Sequence, residues 1–313
     1  MHVSSGRWLL GLSLAMVTAV LWGILPIKLK LVLEVMDPVT VTWYRLLSSG
    51  LILLLWLGGR GGLPAFRPLG RRGGALVVLA IAGLVSNYVL YLMGLKVLSP
   101  GTTQLVIQIA PFLLLICSLF VFREAFSVAQ FLGLLVLLLG FGLFFNQRLG
   151  ELLTSLSEYT LGVLTVVLAA VVWVVYGLAQ KQLLNKWTSF QVMMVIYLGC
   201  TLLLTPWAAP AQVLELDALQ FWLLVACCLN TLIAYGAFAE ALAHWEASRV
   251  SAALALTPLI TFAGVALAAS WWPAYVLPEQ LNWLAYGGAL LVVAGSAVAA
   301  LGHKRAAKAP ATP

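Results

Sequence analysis

The chain reads as long apolar runs separated by short polar breaks. Each run is about twenty residues long, which a helix needs to cross a hydrocarbon layer roughly 30 Å thick. The runs predict ten membrane-spanning helices: Trp8–Ile27, Pro38–Leu57, Ala75–Leu95, Thr102–Phe122, Val128–Asn146, Leu161–Gln180, Ser189–Ala208, Leu219–Ala241, Val250–Ser270 and Asn282–Leu301. The breaks carry turn chemistry at Asp37-Pro38, Ser99-Pro100-Gly101 and Pro206 with Pro210. Ser127 with Gln130, and Thr188 with Gln191, have the spacing of capping boxes that open the fifth and seventh helices. The first run ends at Pro26 and Lys28 without an Ala-x-Ala cleavage pattern, so it reads as a retained helix. The tail His303–Pro313 is polar and Ala/Pro-rich and is expected to be disordered in the cytoplasm.

Composition agrees with the pattern. Of 313 residues, 63% are hydrophobic and 9% charged, against roughly 25% charged in a soluble domain. A water-facing surface cannot be built from this inventory, so the expected surroundings are a lipid bilayer. The net charge of +7 is not a nucleic-acid signal, because the basic residues fall mainly in the breaks and tails. Ten spans would place Arg7, Arg60, Arg67, Arg71, Arg72, Arg123, Lys181, Lys186, Arg249, Lys304, Arg305 and Lys308 on one side. Lys28, Lys30, Lys96 and Arg148 fall on the other. That asymmetry predicts an inner-membrane protein with both termini in the cytoplasm. The basic stretch Gly58–Gly74 then reads as an orientation anchor. Cys117, Cys200, Cys227 and Cys228 all lie in apolar runs without metal-ligand spacing and read as small buried hydrophobes.

The two halves of the chain align with each other. Trp22 falls on Trp173 and Lys30 on Lys181; Tyr88 falls on Tyr235, Leu95 on Leu242 and Pro111 on Pro258; Glu124 falls on Glu279, Gly133 on Gly288 and Gly140 on Gly295. Two small loop-length changes account for the drift in offset. The predicted fold is therefore all-α integral membrane, with two five-helix repeats at residues 8–146 and 159–302 followed by the tail. Five is odd, so the second copy must enter the membrane from the opposite side. Inverted repeats of this kind are the architecture of many secondary transporters.

The chain resembles the drug/metabolite transporter superfamily, in particular its EamA-type members. The matching features are Trp22-Gly23, Arg45-Leu46-Leu47, Phe122-Arg123-Glu124, and Glu246-Ala247-Ser248-Arg249-Val250 followed by Thr257-Pro258. Val174 stands where the first half has Gly23, and the Trp271–Pro278 segment is an insertion. The resemblance implies the ten-helix fold and transport of a small metabolite, and leaves the substrate open among amino acids, sugars, nucleotide derivatives and drugs. Export of an amino acid or similar amphipathic solute by alternating access is the expected activity, with an uptake permease or exchanger as the alternative. A membrane-embedded enzyme is a distant rival, since no nucleophile–base pair, metal-spaced cluster or phosphate loop is visible. No cofactor and no metal are expected, and a missing nucleotide-binding motif points to an ion gradient or an external partner as the energy source of any active transport.

Polar side chains inside spans are the candidate chemistry, because lipid offers them no partner. Gln104, Gln108 and Pro111 recur at i, i+4, i+7, which on a continuous helix is one face, and that face is expected to line a hydrated cavity. Pro111 and Pro258 are expected to kink their helices and serve as gates. Tyr88, Tyr91, Trp22, Trp173, Tyr176 and Tyr235 are deep aromatics able to grip an amphipathic solute, with interfacial belting as the alternative. Trp8, Trp187, Trp271 and Trp272 lie near span ends and read as an interfacial belt. Glu240 and His244, one turn apart near Glu246 and Arg249, are candidates for proton coupling, with an interfacial charge cluster as the alternative. Arg45 reads as structural, snorkelling outward or pairing with a carboxylate such as Glu34. Gly133/Gly140 and Gly288/Gly295 give the fifth and tenth helices flat faces for close packing, and a homodimer through those helices is the expected protein partner contact.

Overall fold

The computed structural model describes residues 7–65, 69–122, 127–245 and 247–302. Arg67, the Arg123-Glu124 pair, Glu246 and the tail 303–313 lie outside these described residues. Among the described residues the chain is all-helical, with no strand. In order, the helices are α1 (Trp8–Val32), α2 (Pro38–Gly59), α3 (Gly70–Val97), α4 (Pro100–Val106), α5 (Ile109–Phe122), α6 (Val128–Phe144) and α7 (Leu149–Thr154). They continue as α8 (Glu158–Leu183), α9 (Ser189–Leu204), α10 (Ala218–His244), α11 (Ala247–Leu254), α12 (Thr257–Trp271) and α13 (Trp283–Leu301), with a 3-10 turn at Pro210–Glu215. Among the described residues, seven segments have the length and apolar character to cross a membrane: α1, α2, α3, α8, α10, the α11–α12 stretch and α13. α6 and α9 are shorter apolar helices.

Local chemistry accounts for the boundaries. The Asp37 carboxylate accepts from the N–H groups of Val39 and Thr40, with Pro38 at the first helical position of α2. Both predicted capping boxes form, Ser127 with Gln130 and Thr188 with Gln191. A third, Asp217 with Gln220, opens α10 and was open to the same reading of the sequence. α1 runs five residues past the predicted Ile27, so Lys28 and Lys30 sit inside the helix and not in a loop. The Lys30 ammonium donates to the carbonyls of Leu95, Lys96 and Leu98, each at 2.8 Å, and so closes the C-terminal end of α3.

The predicted fourth and ninth spans are each broken in two. α4 stops at Val106 and α5 starts at Ile109; α11 stops at Leu254 and α12 starts at Thr257. The expected mid-helix proline kinks are therefore replaced by full interruptions one turn upstream. Pro111 and Pro258 occupy the first turns of the following helices, where a missing N–H costs least. The carbonyls that the prolines orphan find other donors. Ile107 O accepts from Ala110 N at 2.9 Å, and Leu254 O accepts the Thr257 hydroxyl.

Packing runs between the halves of the chain. α3 lies along α8, α1 along α10, α2 along α9 and α6 along α13, while α4 rests on α12. The α6–α13 seam is the tightest. A Cβ at Gly140 would come within 2.6 Å of Val292 N, and one at Gly288 within 2.4 Å of Phe144 N. Gly133 and Gly295 show the same approach, with 2.7 Å to Ala299 N and 2.6 Å to Leu137 N. Small residues let two helix backbones touch where the hydrophobic effect cannot drive association. The glycine faces are thus spent inside the chain. A second copy meeting α6 and α13 would have to use their outward side chains, such as Phe131, Leu135, Leu138, Leu284 and Leu290, all exposed.

Candidate functional site

The deep aromatics converge where α1, α3, α8, α9 and α10 meet. The hydroxyls of Tyr88 and Tyr235 meet at 3.4 Å. Trp22 packs edge-on to Tyr235, ring centroids 5.2 Å apart, and lies 5.6 Å from Phe238. Tyr176 and Tyr88 are buried in one apolar cluster, and Trp173 packs against it. Tyr91 turns to the side and donates its hydroxyl to Gln104 Oε1 at 2.8 Å.

Tyr197 of α9 belongs to the same cluster and was not singled out in the sequence. Its ring is 6.3 Å from Tyr235, and its hydroxyl is buried without a hydrogen-bond partner among the described residues. A tyrosine inside an apolar run, eight residues into α9, was the signal available. Ser49 of α2 likewise buries a hydroxyl with no partner. A buried hydroxyl left unpaired costs free energy, on the order of 1–3 kcal/mol.

Gln104 and Gln108 take different partners. With the helix interrupted at Ile107–Gln108, Gln104 meets Tyr91, while Gln108 Nε2 donates to Ala255 O at 3.2 Å. Each is 9% exposed. The amide of Gln108 therefore bridges the two helix breaks, reaching from one interruption to the backbone of the other. The two prolines differ in surroundings, Pro258 buried and Pro111 exposed.

Arg45 neither snorkels nor pairs with Glu34. Its residue exposure is 4%, and Glu34 is itself exposed. Among the described residues no carboxylate lies within ion-pair distance of Arg45. Its Nε donates to Thr231 Oγ1 at 3.1 Å, and its guanidinium carbon stands 4.8 Å from the centre of the Tyr88 ring. Arginine near mid-span costs roughly 2.5–3.5 kcal/mol on insertion scales, which a cation–π contact of about 0.5–2 kcal/mol offsets only in part. The residue read as structural thus reaches into the aromatic cluster.

Glu240 and His244 form a pair of their own, with Glu240 Oε1 and His244 Nε2 3.0 Å apart. The structure does not bring them into the aromatic cluster. They lie about 7 and 13 Å further along the α10 axis than Tyr235, with the Glu240 side chain 57% exposed. Trp187 is not a free belt residue: it is buried, and its indole N–H donates to Ala65 O at 3.0 Å. Trp8, Trp271 and Trp272 are exposed. Among the described residues no group of three or more His, Cys, Asp or Glu side chains could hold a metal ion.

Glu279, in the loop before α13, makes the one long-range carboxylate contact at the start of α4. It accepts from Gly101 N at 2.6 Å through Oε1, while Oε2 is buried without a partner among the described residues. Burial raises its carboxyl pKa above the ordinary value, and the bond from Gly101 opposes that shift.

Comparison with known proteins fits this architecture. The sequence model of the EamA-like transporter family matches residues 9–146 and 160–301. A Haemophilus influenzae protein named as an uncharacterized transporter is 40% identical over 296 residues, covering 95% of this chain and 96% of the relative. Escherichia coli K12 has the uncharacterized inner membrane transporter YhbE, 42% identical over 297 residues and covering 94% and 92%. A solved crystal structure superposes with a TM-score of 0.62 at 21% identity, over 96% of this chain and 98% of the other, and so supports the fold alone.

Proposed function

The chain belongs to the EamA-like transporter family, is a multi-pass membrane protein, and from that premise we propose a secondary transporter that moves a small solute by alternating access. In this reading ten spans form two inverted five-helix repeats, the two parts of the α4–α5 stretch and of the α11–α12 stretch each counting as one span. The membrane is the inner membrane, as in the name of the Escherichia coli relative, and both termini are cytoplasmic. Export is the working direction, and uptake and exchange are the alternatives that transport assays separate.

The observation that carries the reading is the pattern of helix pairing. Under the repeat, α1 corresponds to α8 and α3 to α10. The pairs α1–α10 and α3–α8 are then images of each other, while α2–α9 and α6–α13 each join a helix to its own image. That is what a two-fold relation between inverted copies requires, and it gives inward-open and outward-open packings of similar energy. The aromatic cluster lies where the image pairs meet. Trp22, Tyr88, Tyr91, Trp173, Tyr176 and Tyr235 are proposed to contact the solute, with Gln104 and Gln108 beside it. The breaks before Pro111 and Pro258 are proposed as the flexing points, and Glu240–His244 as a proton-responsive pair at the cytoplasmic end of α10.

The deciding experiment is counterflow in proteoliposomes against amino acids, nucleosides and sugars, with and without a proton gradient. Saturable exchange of one class supports the reading. Full-length protein that is folded and inserted but exchanges nothing would count against it.

A further inference from the structure

The polar core around Arg45 is short of acceptors. A guanidinium and an ammonium carry donors only, and both kinds meet here. Lys28 of α1 donates to Asn230 Oδ1 at 3.3 Å, and Arg45 of α2 donates to Thr231 Oγ1 at 3.1 Å. Asn230 and Thr231 are neighbours on α10, so three helices deliver their donors to one place. Both side-chain acceptors are thereby engaged, and the Thr231 hydroxyl itself donates to Cys227 O at 3.0 Å. The Asn230 amide nitrogen is left over: it is buried, with Asn230 2% exposed, and has no acceptor among the described residues. No carboxylate lies within ion-pair distance of Lys28 or Arg45 among those residues. Two cations and a free N–H in an apolar interior call for an anion with more than one acceptor oxygen.

We propose that Arg45, Lys28 and Asn230 form the binding site for a carboxylate on the transported solute, with the Tyr88 side of the cluster receiving its apolar body. A planar carboxylate offers two oxygens to a guanidinium fork and an amide N–H together. The aromatic cluster borders the same place, since the Tyr88 ring lies beneath the guanidinium. The donor set is one-sided. At the Trp22–Trp173 offset, Lys28 falls on Ala179 and Arg45 on Ile196. The second repeat therefore supplies no matching cations, and a solute is held in one orientation. The inference deepens the transporter reading and rests on it for its purpose, but the binding is measurable without transport.

The test uses full-length protein purified in detergent. Thermal unfolding is followed with 3-phenylpropionate and benzoate, their neutral amides, and inorganic phosphate at equal ionic strength. The carboxylates should raise the midpoint in a saturable way and the amides should not. Asn230→Asp places a carboxylate of its own among the donors. It should raise the midpoint of the ligand-free protein and weaken the apparent affinity for 3-phenylpropionate on the order of ten-fold or more. Arg45→Gln should abolish the response where it folds, and Asn230→Asp decides the matter where it does not. Equal stabilisation by amides, a response to phosphate alone, an unchanged response in Asn230→Asp, or no response to any carboxylate overturns the assignment. Carboxylate binding without counterflow would remove the transporter reading and leave the site. Counterflow of neutral solutes without a carboxylate response would do the reverse.

Discussion

The hydroxyls of Tyr88 and Tyr235 touch at 3.4 Å across a sequence separation of 147 residues. The same interval separates Gln108 from Ala255, whose carbonyl it binds. In the proposed repeat these are equivalent positions, so both contacts fall on the axis that relates the halves. Removing either tyrosine hydroxyl with Tyr88→Phe or Tyr235→Phe breaks the same bond. The two variants should lose similar stability, about 0.5–1.5 kcal/mol, and the double variant should lose little more than either single one. Additive losses in the double-mutant cycle would show that the hydroxyls act separately.

The α6–α13 seam predicts a steep position dependence for methyl groups. Gly140→Ala and Gly288→Ala drive a Cβ into backbone atoms of the facing helix. Overpacking of that kind costs roughly 1–3 kcal/mol or more. Gly142→Ala, with nothing within 4 Å of the added carbon, should be neutral or slightly stabilising. Melting in detergent checks it, and equal shifts at Gly140 and Gly142 would sink the packing account.

Stability should fall as pH rises because of Glu279. Its folded carboxyl pKa is raised, chiefly by burial. Below the unfolded value, about 4.3, both states hold the proton and no penalty exists. As pH climbs from there through the folded pKa, the unfolded state gives up its proton first and stability declines. Glu279→Gln keeps an oxygen for Gly101 N–H and removes the ionisation. Its melting temperature should lack the decline that sets in above about pH 4, and an identical slope in both proteins would remove Glu279 as its source.

The helix breaks give a kinetic prediction. Pro111→Ala and Pro258→Ala restore an N–H in the first turns of α5 and α12 and favour continuity with α4 and α11. Cysteine probes at Tyr88 and Tyr235, in a background lacking the native cysteines, should then shift their side-to-side labelling ratio. The buried Pro258 should have the larger effect, since its neighbours must move with it. An unchanged ratio in both variants would dissociate the breaks from gating.

Orientation is tested by reporter fusions after Arg72 and after Lys308. Both should read cytoplasmic, as the basic-residue asymmetry requires.

The helices were legible in the sequence because each apolar run and each cap is a local signal. Ser127–Gln130 and Thr188–Gln191 form as their spacing indicates. The breaks at Ile107–Gln108 and Ala255–Leu256 were not, because hydropathy continues across them and a proline marks only the neighbourhood. Tyr88 and Tyr235 were found as matched residues, but their contact depends on how the halves dock. The partners of Arg45 were missed for the same reason. Its sequence neighbourhood offers Glu34, whereas its partners Thr231 and Tyr88 come from α10 and α3. Intramembrane polar residues are conspicuous in a sequence, and which of them meet is decided by tertiary packing.

The glycine seam also bears on how the protein is made. α6 ends at Phe144 and its only close-fitting mate, among the described residues, ends at Leu301. At ribosomal speeds that interval of chain takes roughly 8 to 30 seconds to emerge. Throughout that time α6 lacks this mate. A nascent chain stalled before Trp283 therefore holds α6 with its glycine face unmated.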